Sequence, residues 1–69
     1  MNQDQASEFL RNLKDGQKAL ERAANYLLDL ERNPDNELLR KQTTEILALT
    51  ITELELPVIA KFPNLNAYR

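Results

Sequence analysis

The stretch Arg32-Asn33-Pro34-Asp35-Asn36-Glu37 decides how this chain folds. Proline has no backbone N–H and pushes the residue before it out of the helical region, so a helix arriving from the N-terminal side must stop near Arg32. The same residues begin a second helix. Asn33 suits a cap with Pro34 as first helical residue, and Asp35 with Asn36 offers an alternative start. Asp35 and Glu37 then fall where acids stabilise the helix dipole. Two helices joined by a turn at 33–36 must run antiparallel.

Upstream of the turn, Ala6, Phe9, Leu13, Gly16, Leu20, Ala23, Leu27 and Leu30 recur at alternating steps of three and four. Leu10, Ala24 and Tyr26 widen this stripe, while Asp4, Glu8, Asp15 and Asp29 fall outside it. The pattern predicts an amphipathic helix from about residue 4 to residue 32, with Asn2 or Asp4 as its cap. Asp15-Gly16 favours a turn, and a glycine inside a helix costs about 1 kcal/mol relative to alanine. A turn would reset the phase of the stripe, yet Leu20, Ala23 and Leu27 continue the phase of Phe9 and Leu13. The helix is therefore expected to run through Gly16.

Downstream, a second helix is expected from about residue 36 to residue 56, with Pro57 ending or kinking it. Its apolar arc centres on Leu39, Thr43, Ile46 and Thr50. Leu38, Leu49 and Leu56 lie on one flank, and Leu47, Ile51, Leu54 and Val58 on the other. At about 100° per residue the arc spans roughly 200°, more than one neighbouring helix covers. A strand over residues 50 to 56 is the competing reading, because Thr-Ile-Thr is β-branched. It fails the alternation test, since Glu53 and Glu55 would share a face with Leu49 and Ile51. Residues 57–69 form an apolar tail.

The fold class is thus all-α, an antiparallel two-helix hairpin in a single domain. Its 69 residues leave only a small core, and with neither cysteine nor histidine the chain has no disulfide and lacks the usual zinc ligands. Self-association is the remaining common source of stability, so a homodimer arranged as a four-helix bundle is expected. No apolar run approaches the roughly 20 residues of a membrane span, and the N-terminus has neither the basic start nor the apolar core of a signal peptide. These features point to a cytoplasmic protein that makes no use of a membrane.

Chemistry is scarce. The absence of histidine and cysteine removes the commonest general base and the strongest nucleophile, and no phosphate-binding loop is present. No catalytic activity and no cofactor are expected. The candidate features are surfaces instead. Arg11, Lys14, Lys18 and Arg22 lie within about 80° of one another on the first helix and form a basic stripe. A solvated face offset by neighbouring acids is the plainest account of it; an acidic protein partner is the functional one. Nucleic-acid phosphate ranks below both, because 9 basic against 11 acidic residues give a net charge of −2. Phe62, Leu65 and Tyr68 suit a tail that folds back over Phe9 and Leu13 at the open end of the hairpin, or that docks into a partner's groove. With facing positions summing to about 69, Glu53 meets Gly16, and that pair is expected at a close helix crossing. The functional reading is a non-catalytic interaction or regulatory module, with an RNA- or DNA-binding regulator and a structural subunit completed by another protein as alternatives.

Overall fold

The computed structural model describes the backbone of residues 1–68 and the side chains of residues 1–65. Helix α1 spans Gln3–Leu28 without interruption and α2 spans Pro34–Leu49. A π-helical segment, Thr50–Glu55, joins α2 to a short α3, Leu56–Lys61, and a 3₁₀ turn follows at Pro63–Tyr68. The result is an antiparallel hairpin measuring 45 × 17 × 16 Å, with no strand among the described residues.

The start of α1 is a reciprocal cap. Asn2 Oδ1 accepts from the Gln5 N–H at 2.8 Å, and Gln5 Oε1 accepts from the Asn2 N–H at 2.9 Å. Two otherwise unpaired backbone donors are thereby satisfied. The helix stops at Leu28 rather than near Arg32, and geometry gives the reason. Asn33 is extended (φ −147°, ψ 164°), as the following proline requires, and its side chain caps α2 by accepting from the Asn36 N–H at 2.8 Å. A helix reaching Arg32 would leave one extended residue, about 3.5 Å, to cross the roughly 8–10 Å between packed helix axes. Residues 29–33 supply that crossing, closed by the Asn36 Nδ2 donation to the Glu31 carbonyl at 2.8 Å.

The second arm does not end at Pro57. Within an α-helix the proline ring would strike the carbonyl of Glu53 and leave it without a donor. The chain resolves this by widening the preceding turn, where the Leu56 N–H donates to the Ile51 carbonyl five residues back. Threonines prepare the distortion. Thr43, Thr44 and Thr50 donate their hydroxyls to the carbonyls of Leu39, Arg40 and Leu47 at 2.7, 2.9 and 2.7 Å, a pattern that bends helices. The β-branched run from Thr50 is accordingly helical rather than a strand.

The buried residues gather at the open end. Ala6, Leu10, Ile59 and Leu65 form the core, with Phe9, Leu13, Val58 and Phe62 packed against it. Towards the turn the hairpin is thin, and α2 has no buried residue at all. Gly16 is not at a helix crossing: it is exposed, and a methyl group placed on it would meet no atom within 4 Å. Glu53 is exposed too. Gly16→Ala is therefore expected to stabilise the chain by about 0.5–1 kcal/mol, as at an ordinary exposed helix position. Urea denaturation measures this, and a lowered midpoint would restore a close contact at that position.

Candidate functional site

The face that α1 turns towards the rest of the chain comprises Ala6, Leu10, Leu13, Gln17, Leu20, Ala24 and Leu27, all buried or half-buried. It shares Ala6, Leu13, Leu20 and Leu27 with the stripe expected from periodicity, takes in Leu10 and Ala24, which were expected to widen it, and adds Gln17, which was not expected; Phe9 is half-buried, whereas Gly16 and Ala23 are exposed. Gln17 turns inward to a polar contact. Gln17 Nε2 donates to Thr50 Oγ1 and to Glu55 Oε1, each at 3.1 Å. Glu55, 6% exposed, is the one buried charged or polar residue among those described.

The π segment brings Glu55 inward. Thr43, Leu47, Ile51, Glu55 and Ile59 follow one another at uniform steps of four, and all are buried or half-buried. In an α-helix steps of four drift by about 40° each, whereas a wider turn keeps them on one face. The carboxyl that meets α1 is thus that of Glu55, and it meets Gln17 rather than Gly16. Hydrogen bonds to charged groups contribute about 1.5–3 kcal/mol, so Gln17→Leu is expected to lower stability by an amount in that range. A shift in urea midpoint at unchanged slope is the readout; an unchanged midpoint would make the contact incidental.

Two outer faces flank the hairpin. On α1, Lys14, Lys18 and Glu21 lie to one side of the inward stripe and Gly16, Ala19, Ala23 and Tyr26 to the other. Lys14, Lys18 and Glu21 line a groove of ≈ 250 Å³ with Gln17 and with Leu47 and Ile51 of the second arm. Leu38, Leu39, Ile46 and Leu49 of α2 and Ala19, Ala23 and Tyr26 of α1 are not among the residues that line it. All seven are exposed, with Leu39, Ile46 and Leu49 at 51%, 53% and 53%. Gln42 and, in the first turn, Asp35 fall within the same arc of α2.

The basic stripe divides. Arg11 donates to Glu8 Oε2 at 2.8 Å, with both side chains well exposed. Lys14, Lys18 and Arg22 have no ion pair within 4.0 Å among the described residues. Lys14 is half-buried at the groove, while Lys18 and Arg22 are exposed. In the tail, Leu65 is a core residue and Phe62 packs against that core beside Phe9 and Leu13. Leu65 and Phe62 are thus engaged within the chain and are not offered to a partner's groove; the side chain of Tyr68 lies outside those described.

Among the described residues there is no group of three or more Asp or Glu side chains placed to hold a metal ion, and no helix is long and apolar enough to cross a membrane. Comparison of the chain with protein-family models, curated proteins and solved structures gives no match.

Proposed function

We propose that this chain is a non-catalytic interaction module that self-associates face to face into a four-helix bundle and presents its opposite, basic side to another protein. The observation that carries the reading is the exposure of Leu38, Leu39, Ile46 and Leu49 along α2, at 53%, 51%, 53% and 53%. These four side chains together expose on the order of 400 Å² of largely apolar surface, within the range of the largest patch on a typical monomer, about 300–600 Å². A standard interface removes about 800 Å² from each partner, so these four side chains would form the centre of such an interface and their neighbours its rim. The half of the hairpin that lacks a core is the half that carries the face.

Hydrogen exchange at two protein concentrations tests the reading. Amides of α2 are expected to gain protection as concentration rises, whereas those near Ala6 and Leu10 follow the stability of the core. Equal protection of α2 at both concentrations would count against self-association. A second reading, an RNA- or DNA-binding regulator, rests on the absence of ion pairs at Lys14, Lys18 and Arg22. A salt titration separates the two, because phosphate contacts make affinity fall steeply with salt.

A further inference from the structure

We infer that the groove between Lys14, Lys18 and the Leu47–Ile51 wall is a docking site for an acidic amphipathic helix of a partner protein. The inference rests on the interaction-module reading but does not require self-association, which uses the other side of the hairpin. The groove, ≈ 250 Å³ in volume, has an apolar wall in Leu47 and Ile51, one helical turn apart. Across from it Lys14 and Lys18 stand one turn apart on α1, with Lys14 laid partly into the groove.

Charge identifies the occupant. Two lysines face one glutamate, Glu21, on the rim, and none of the three has an ion pair within 4.0 Å among the described residues. Residues 46–52, which form the other side, carry no charge at all. Among the described residues only Glu21 brings a carboxylate near the two lysines, so the rim keeps a net positive charge and a ligand that fills the groove is expected to supply both apolar side chains and negative charge. A helix with two apolar residues one turn apart and carboxylates beside them at the same spacing meets both walls at once, in the helix-in-groove mode. Strand addition has no sheet edge to use among the described residues. Single-stranded nucleic acid is a poorer fit, because the groove offers no aromatic ring for a base to stack on.

The test is selection of a displayed library of random-sequence helical peptides on the full chain. The expected winners carry paired carboxylates one turn apart next to apolar residues, and they perturb the methyl resonances of Leu47 and Ile51. Their affinity for the Lys14→Glu/Lys18→Glu variant is expected to fall about tenfold or more, equivalent to about 1.4 kcal/mol or more. That variant should keep its melting temperature, since Lys18 is exposed and neither lysine is paired. Winners should bind an Ile46→Glu variant undiminished, so a failure of the self-association reading would leave this result intact. Winners without acidic residues, winners that bind the double lysine variant as tightly, or a library that yields no binder would each overturn the inference. Retention of poly-uridine RNA with a steep salt slope, in place of peptides, would transfer the stripe to nucleic acid.

Discussion

Leu10→Ala is expected to leave little folded protein at 37 °C. Leu10 is 2% exposed and belongs to a core whose other buried apolar members among the described residues are Ala6, Ile59 and Leu65. Truncating a buried leucine costs about 2–5 kcal/mol, the larger values arising where the surroundings cannot collapse into the space. A domain of this length has roughly 3–10 kcal/mol in total to lose. Collapse is hindered here, because α1 is held in place on one side of Leu10 by its capping box and on the other by the Gln17 contact to Glu55. Circular dichroism against temperature provides the measurement. A variant that melts within a few degrees of the parent would show that stability resides elsewhere, with the dimer as the first place to look.

The second large effect is expected from Ile46→Glu combined with Leu49→Glu. Both side chains are more than half exposed, so their contribution to the fold of a single chain is small. At a two-fold interface each substitution acts twice, burying glutamates from both copies in an apolar seam. Association is expected to weaken by about a hundredfold or more, equivalent to about 2.7 kcal/mol. The helix content of the double variant should be retained at concentrations where the parent is expected to associate. Loss of helix content together with association would mean that the hairpin does not stand without its partner.

The physical origin of these two effects was unevenly legible in the sequence. Pro34 marks the turn, but the cap was open between Asn33 and Asp35, and the structure starts the second helix at Pro34 with Asn33 as its cap rather than near residue 36. The unbroken phase through Gly16 identifies α1 as one helix. The width of the apolar arc in the second arm is likewise visible, but Leu39 and Ile46, expected at its centre with Thr43 and Thr50, are exposed, and Leu47 and Ile51, expected on one flank, lie half-buried. The inward place of Gln17 was hidden, because Gly16 beside it continues the apolar phase and a glutamine does not. A single polar residue, Gln17, decides the matter through a partner 38 residues away. The π segment was hidden for a related reason. An expected period of 3.6 sends Glu53 and Leu54 towards the core, whereas the uniform steps of four from Thr43 to Ile59, ending beside Pro57, were the available sign of a wider turn. Reading those steps would have identified Glu55 as the inward carboxyl.

The groove at Lys14 and Lys18 required the same three-dimensional information. Sequence places the basic residues on one face of α1, but only the register of the second arm sets Leu47 and Ile51 opposite them. With that register known, the stripe ceases to be a uniform band: Arg11 is taken up by Glu8, and Lys14 with Lys18 forms the part that borders an apolar wall.

Self-association through the Leu39, Ile46 and Leu49 face is the central claim, and the mass of the protein in solution tests it most directly. Light scattering coupled to size exclusion, at tens of micromolar protein, is expected to give about twice the 8.0 kDa of one chain, falling to a single chain for Ile46→Glu/Leu49→Glu. A parent protein that elutes at 8.0 kDa across that range would contradict the claim.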